Sequence, residues 1–178
     1  MARYEWDPAD YLAHSHAQSQ WAGDVIAKLE LKGTESVLDI GCGDRKVTAL
    51  LASRLPSGEV IGIDSSAGMV NRARETFPET AYPNISFLCM DARDIRFSER
   101  FDLVFSSAAL HWAQDHPGML GRVRQSLKNG GKIFFQMGGR GNAKAVFDLA
   151  DALIHSSGWR EFFPGFRSPY TFLSAEEY

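Results

Sequence analysis

A short glycine-rich stretch could hold the charged end of a small ligand. It reads Asp39-Ile40-Gly41-Cys42-Gly43 and continues as Asp44-Arg45-Lys46. Glycines between a strand and a helix let the backbone approach a ligand and direct N–H groups at it. A dinucleotide-binding loop would need a third glycine where this chain has Lys46. Asp39 would repel a pyrophosphate but would attract an ammonium group, so the stretch favours a ligand with an ammonium group.

Two further carboxylates are spaced to bind a nucleoside. Asp64 lies 21 positions after Gly43, where an acid after a second strand can accept hydrogen bonds from ribose hydroxyls. Asp91 follows a third apolar run, where its carboxylate can bind an exocyclic amine while the N–H of Ala92 meets a ring nitrogen. Each acid alone is more often a cap or a loop residue. Three acids at the ends of successive strands are much harder to obtain by chance.

A regular alternation of strands and helices must position these residues. Apolar runs typical of buried strands alternate with segments of helical periodicity, the last of them at Ala143–Ser156. Such alternation predicts an α/β fold with a doubly wound, mainly parallel sheet, and ligands bind where its strands end. Asn129-Gly130-Gly131 indicates a stop before the last strand. The predicted strands are Ser36–Ile40, Glu59–Asp64, Ile85–Met90, Phe101–Phe105 and Lys132–Met137.

Composition excludes several classes of function. The 178 residues include 19 Lys+Arg and 22 Asp+Glu, and the net charge of −3 disfavours binding to nucleic acid. Hydrophobic residues make up 44% of the chain, enough for a globular core. No apolar run is long enough to span a bilayer. Two cysteines are too few for a disulfide framework, and no ligand spacing indicates a metal site. We therefore expect a cytoplasmic protein without metal, nucleic acid or membrane partners.

Four stretches of the chain resemble class I S-adenosylmethionine-dependent methyltransferases, and the resemblance extends over essentially the whole chain. It implies a Rossmann-like sheet with strand order 3-2-1-4-5. It also implies S-adenosylmethionine as cofactor, with S-adenosylhomocysteine as product. The four stretches are DIGCGD at 39–44, IGIDSS at 61–66, MDARDI at 90–95 and FDLVFSSAALHW at 101–112.

The resemblance implies roles for individual residues at the cofactor. Gly41 and Gly43 match residues that contact the methionine part, and Asp64 matches the acid that binds the ribose. Asp91 and Ala92 match residues at the adenine. The further cofactor-binding residues that it implies are Gln18, Trp21, Asp39, Cys42, Ser65, Met69, Arg93, Ser106 and Ser107.

One position departs from the family. Arg45 stands where the family commonly has glycine, so its side chain would crowd the methionine end or require a positive φ. Alternatively, the side chain points outward and contributes a charge at the edge of the sheet. We expect cofactor binding to survive this departure.

The stretch at 106–112 is similar to small-molecule carboxyl methyltransferases, such as trans-aconitate and juvenile hormone acid methyltransferases. The similarity implies a small-molecule acceptor with a carboxylate oxygen as the favoured site, and catalytic roles for His111 and Trp112. His111 could orient the acceptor, or remove a proton from an amine or hydroxyl, or be purely structural. Arg140 could anchor a carboxylate. The candidate acceptor-binding residues are Tyr11, His111, Trp112 and Arg140.

The sequence leaves other functions open. Within the class, the acceptor could be a malonyl group on a carrier protein, or another small molecule that is N- or O-methylated. A malonyl carrier-protein methyltransferase would need a basic patch for its acidic carrier, which the sequence does not show. From other classes, an NAD-type oxidoreductase or an inactive cofactor-binding module is the alternative.

We expect three parts along the chain. They are a helical cap over the cofactor site at 1–35, the cofactor-binding domain at 36–140, and a helix with an aromatic-rich segment at 141–178. The family usually has a sixth and a seventh strand, whereas five are predicted here. We therefore expect either a fragment of a longer protein or a second copy that covers the fifth strand. The expected state is a monomer or a homodimer.

Overall fold

Five parallel strands form a single sheet at the centre of the fold. The computed structural model describes the backbone of residues 16–178 and the side chains of residues 20–178. The sheet order is β3-β2-β1-β4-β5, which confirms the predicted order. All five residues of the central strand β1 are buried, because helices and neighbouring strands cover it on every side. The strands are β1 (Ser36–Ile40), β2 (Glu59–Asp64), β3 (Ile85–Cys89), β4 (Phe101–Ser107) and β5 (Leu127–Gln136).

Helices connect the strands, as the alternation in the sequence predicts. One hydrophobic core joins Ile26, Leu51 and Ala73 of three helices with Val37 and Phe105 of the sheet. Two short 3₁₀ turns, Ala92–Asp94 and Leu110–Trp112, follow β3 and β4. The helices are α1 (His16–Ile26), α2 (Lys46–Ser53), α3 (Ala67–Thr76), α4 (His116–Ser126) and α5 (Lys144–His155).

Side-chain caps fix where two of the helices begin. Ser66 Oγ accepts a hydrogen bond from the N–H of Met69, 3.3 Å away, at the start of α3. The Asp115 carboxylate accepts the N–H of Gly118 at 3.0 Å at the start of α4. Each cap satisfies one backbone donor that a helix leaves unpaired at its N-terminus. The first of them fixes the chain directly after β2, where the candidate nucleoside site lies.

The ends of the later strands differ from the sequence prediction. β3 ends at Cys89, and β4 continues to Ser107 because its last residues still pair with β5. β5 begins at Leu127, opposite Phe101, and its pairing with β4 resumes only at Lys132. Gly130, with a φ of 79°, lies in the interruption. The predicted stop at 129–131 is therefore a break within β5 rather than a loop before it.

The chain divides into two compact units. The first contains the sheet, with residues up to Leu110 and from Asp115 to Met137, and the second comprises His111–Gln114 and Gly138–Tyr178. Helix α1 belongs to the first unit, to whose core it contributes Ile26. The division into cap, cofactor-binding domain and C-terminal segment stays a prediction. None of the helices within the described residues combines the length and apolarity needed to cross a membrane.

Candidate functional site

The glycine loop after β1 is held tightly against β2. The N–H groups of Gly41 and Cys42 both donate to the carbonyl oxygen of Ile63, at 2.8 and 3.0 Å. Gly41 has a φ of 75°, and a side chain there would collide with Cβ of Ala109. Gly43 has a φ of 44°. Only glycine fits at Gly41, because both its conformation and the space beside it exclude a Cβ atom.

Asp64 connects the glycine loop with the start of α3. Its Oδ2 accepts the N–H of Gly43 at 3.0 Å, and its Oδ1 accepts the N–H of Ser66 at 2.8 Å. A carboxylate oxygen has two acceptor positions, so each oxygen can accept one further hydrogen bond. Burial raises the pKa of Asp64, and the two backbone N–H groups partly oppose this rise. The carboxylate is therefore oriented and has free acceptor capacity for a pair of hydroxyls.

Asp39, at the end of β1, is an almost completely buried acid. Its Oδ2 accepts a hydrogen bond from the Thr48 hydroxyl at 2.6 Å. Burial raises the pKa of Asp39 to about 7, the Thr48 hydrogen bond opposes this rise, and the charges of Asp64 and Asp44 add to it. No cation compensates its charge among these interactions. A ligand with a positive group would therefore stabilise the ionised form of Asp39.

Arg45 precedes α2 as its N-cap residue in a left-handed conformation with a φ of 67°, and its side chain makes no cap hydrogen bond. This confirms that the position requires a positive φ, which glycine adopts more readily. The Arg45 side chain is partly buried, and burial and then the nearby Arg72 lower its pKa, against the opposing charges of Asp44 and Glu75. The departure from the family therefore strains the backbone at the start of the helix.

Asp91 lies at the end of the third strand and is already engaged with Arg93. Its Oδ1 accepts the backbone N–H of Arg93 at 2.9 Å, and the guanidinium contacts both carboxylate oxygens at 2.9 and 2.7 Å. This pairing raises the pKa of Arg93. Ala92 opens a 3₁₀ turn, so its N–H has no acceptor within the turn. The Asp91 carboxylate is therefore held in place by Arg93.

Several other predicted site residues have structural partners. Cys42 is buried against Gly62, and burial raises the pKa of its thiol well above the usual range. Ser106 Oγ donates to the carbonyl of Ile40 at 2.8 Å, and Ser107 Oγ donates to Gln136 at 3.2 Å. These contacts join neighbouring strands, and a role for these residues at a ligand stays a prediction.

The remaining candidates of the first unit differ in exposure. Met69 is a buried residue of α3, whereas Ser65, directly after β2, is exposed. Trp21 of α1 is 54% exposed. The side chain of Gln18 and all of Tyr11 lie outside the described residues. The cofactor role of these positions therefore stays a prediction.

An aromatic cluster in the second unit surrounds His111. The ring of His111 lies 5.8–5.9 Å, centroid to centroid, from the rings of Trp112, Tyr170 and Phe172. Phe147 of α5 packs against Tyr170 at 5.3 Å. Burial lowers the pKa of His111, so the imidazole is neutral at pH 7. The sequence predicted roles for His111 and Trp112, and the structure places both in one aromatic surface.

Arg140 belongs to the same unit but is engaged by a carboxylate of its own. Its guanidinium forms an exposed ion pair with Glu177, which raises the pKa of Arg140. A carboxylate ligand would have to compete with Glu177. The role of Arg140 as an anchor stays a prediction.

Sequence reasoning missed three residues that shape the site. Thr48 and Asp44 set the electrostatics around Asp39, and Ala109 limits Gly41 to a glycine. Asp44 is buried and its carboxylate lies 2.8 Å from Lys46 Nζ. The position of Asp44 beside the glycines could have indicated its role. Ala109 carried no such signal, because it meets Gly41 only in the folded sheet.

Comparison with known proteins identifies the family. The methyltransferase domain family matches residues 37–131, more than half of the chain. The chain belongs to the methyltransferase domain family. The match spans β1 to β5 and so includes the glycine loop, Asp64 and Asp91. The class is that of the class I S-adenosylmethionine-dependent methyltransferases, whose solved members share this fold.

Individual relatives agree with this family. The chain is 34% identical over 132 residues to trans-aconitate 2-methyltransferase from Azoarcus sp., covering 74% of this chain and 50% of that protein. It is 34% identical over 128 residues to malonyl-[acyl-carrier protein] O-methyltransferase from Acetivibrio thermocellus, covering 71% and 44%. A chain in the complex of the Haloferax volcanii Trm112 methyltransferase activator with a methyltransferase has a TM-score of 0.74 at 22% identity, covering 99% and 74%.

The methyltransferase domain spans about half the length of the curated relatives that it matches. S-adenosylmethionine is the cofactor of its class. Within the described residues, no group of three His, Cys, Asp or Glu side chains is placed to hold a metal ion.

Proposed function

We propose that the methyltransferase domain binds S-adenosylmethionine at the edge of the sheet and transfers its methyl group to a carboxylate oxygen of a small molecule. The observation that carries this proposal is the buried, uncompensated Asp39 beside a loop that only glycine can form. This arrangement suits a ligand that carries a positive charge and needs close backbone contact. A pyrophosphate has the opposite charge, which disfavours the NAD-type alternative.

The donors and acceptors on the first unit fit the parts of the cofactor. Gly41 and Gly43 would hold its methionine part, with Asp39 near the ammonium group. The two free acceptor positions of Asp64 match the two ribose hydroxyls. The Asp91 carboxylate and the N–H of Ala92, which opens the 3₁₀ turn, match the amine and a ring nitrogen of adenine. These residues offer carboxylate oxygens to the ammonium group, the ribose hydroxyls and the amine of the cofactor, and a backbone N–H to its adenine ring.

The reaction asks little acid–base chemistry of the protein. When bound, the cofactor supplies a sulfonium methyl, and the new C–O bond forms from the acceptor's lone pair while the electrons of the broken C–S bond stay on sulfur. A carboxylate is ionised at neutral pH, so no residue has to remove a proton. The protein has to orient the acceptor in line and exclude water. We assign acceptor binding to His111 and Trp112, because an imidazole N–H can donate a hydrogen bond to a carboxylate and an indole ring can pack against the carbon atoms of a small acid.

The relatives support a carboxylate acceptor. The two named above act on trans-aconitate and on malonyl-[acyl-carrier protein]. A carrier protein is acidic, and the net charge of −3 gives this chain no general attraction for it. A free small acid is therefore the favoured acceptor, bound by a monomer or a homodimer.

A transfer assay tests the proposal. The protein is incubated with S-adenosylmethionine and a panel of di- and tricarboxylic acids, malonyl-carrier protein, amines and phenols, and release of S-adenosylhomocysteine is measured. We expect release with at least one carboxylic acid, and none with amines or phenols. Release only with malonyl-carrier protein would favour the second relative. Release with amines or phenols would refute the carboxylate assignment.

A further inference from the structure

The orientation of the His111 imidazole is fixed by one hydrogen bond to its ring and one to its backbone carbonyl. Its Nδ1 accepts a hydrogen bond from the backbone N–H of Gly138 at 3.4 Å. Its carbonyl oxygen accepts the N–H of Thr171 at 2.8 Å. These two contacts hold the 3₁₀ turn that carries His111 between the segments at 138 and 171. The ring therefore has one orientation, with Nδ1 directed at the backbone.

The surroundings of His111 favour a neutral ring. The rings of Trp112, Tyr170 and Phe172 lie around it, and no carboxylate among the described residues contacts it. Burial lowers the pKa of His111, with no charged group among the causes. A neutral imidazole has one N–H and one unprotonated nitrogen.

The contact with Gly138 decides which nitrogen carries the proton. A backbone N–H can donate only to an unprotonated nitrogen, so Nδ1 carries the lone pair and Nε2 carries the hydrogen. Nε2 makes no hydrogen bond to any described residue. A general base needs its lone pair at the atom that faces the substrate, whereas Nε2 offers a hydrogen.

We propose that His111 donates a hydrogen bond from Nε2 to the carboxylate of the methyl acceptor and does not act as a general base. The inference rests on the proposed function and narrows it. It favours acceptors whose reacting oxygen is already ionised, because Nε2 of His111 carries a hydrogen and so cannot deprotonate a phenol or an ammonium group. His111 keeps its proton throughout the reaction.

Two matched variants separate a donor from a base. His111→Gln places an amide N–H near the position of Nε2 and cannot act as a base. His111→Asn places its side-chain oxygen near the position of Nδ1, keeps an acceptor for Gly138 and has no group at the position of Nε2. A hydrogen bond to a charged group corresponds to roughly a 10- to 100-fold effect. With trans-aconitate as the probe, we expect H111N to raise KM by about that factor and H111Q to raise it less than about fivefold.

A measurement on the protein alone gives an independent readout. The ¹⁵N NMR shifts of the His111 ring distinguish a protonated from an unprotonated nitrogen, without cofactor or acceptor. We expect Nε2 protonated and Nδ1 unprotonated at pH 7–8. A protonated Nδ1, or a KM for H111Q raised as much as that for H111N, would overturn the inference. Failure to bind S-adenosylhomocysteine in calorimetry would instead refute the proposed function, so the two failures are distinguishable.

Discussion

Replacing Asp39 by asparagine should remove a pH-dependent cost to stability. The pKa of Asp39 in the folded protein is about 7, against 3.8 for an unperturbed aspartate. The folded state therefore binds a proton more tightly than the unfolded state, and its stability falls as the pH rises from about 4 to about 7. This pKa difference corresponds to about 4 kcal/mol above pH 7, of which about 3 kcal/mol is lost between pH 5 and pH 8. Asparagine can still accept the Thr48 hydroxyl and carries no charge.

Urea denaturation of the wild type and Asp39→Asn at pH 5 and pH 8 tests this reasoning. We expect the variant to be more stable than the wild type at pH 8, and the difference to shrink by about 3 kcal/mol at pH 5. The raised pKa of Asp64 acts in the same direction in both proteins, so the difference between them reports mainly on Asp39. Thr48→Val serves as a control, because losing its hydrogen bond should raise the pKa of Asp39 further. Parallel pH profiles for the wild type and Asp39→Asn would refute the reasoning.

The same variant should bind the cofactor less well. At pH 8 the ionised Asp39 would meet the ammonium group, so Asp39→Asn should weaken S-adenosylhomocysteine binding by roughly 10- to 100-fold. At pH 8, Asp39→Asn would then raise the free energy of unfolding and lower the affinity for S-adenosylhomocysteine. Equal affinities of the two proteins in calorimetry would exclude a contact between Asp39 and the ammonium.

Three further variants test the backbone and the surface. Arg45→Gly should raise the free energy of unfolding by up to about 1 kcal/mol by relieving the left-handed strain, whereas Arg45→Ala should not. Gly41→Ala should lower it by about 2 kcal/mol or more through collision and strain, whereas Gly121→Ala, in open space on α4, should raise it by about 1 kcal/mol. Arg140→Ala should leave stability within about 0.5 kcal/mol, because its ion pair is exposed, but should raise KM for a carboxylate if Arg140 is the anchor. Urea titrations measure the three stability effects and the transfer assay measures KM, with unchanged midpoints for Arg45→Gly or Gly41→Ala counting against the account.

The first two strands were predictable from sequence because their signals are local, and the strand order followed from the resemblance to class I methyltransferases. β1 and β2 are short apolar runs buried on both faces, and their bounds match the prediction at every end. The start of β5 was not predictable, since its first residue, Leu127, joins the sheet only by pairing with Phe101 in a distant segment. A turn-forming residue such as Gly130 indicates that the chain changes direction, but it does not show whether the residues before and after it both pair with β4.

The candidate site likewise has features that the sequence predicted and features that depend on the folded structure. Gly41, Asp39 and Asp64 could be placed together because parallel strands end at one edge of a sheet. The raised pKa of Asp39 could not be predicted, since it depends on burial and on charges brought near by folding. The proton position on His111 likewise depends on Gly138, which lies 27 residues away.

Calorimetric titration with S-adenosylhomocysteine tests the central claim most directly, with the wild type, Asp64→Ala and a surface control, Glu79→Ala. We predict saturable binding to the wild type and the control, and binding to Asp64→Ala weaker by roughly 10- to 100-fold, with circular dichroism confirming that each variant is folded. No heat with the wild type at millimolar ligand, or equal affinity in all three proteins, would contradict the account.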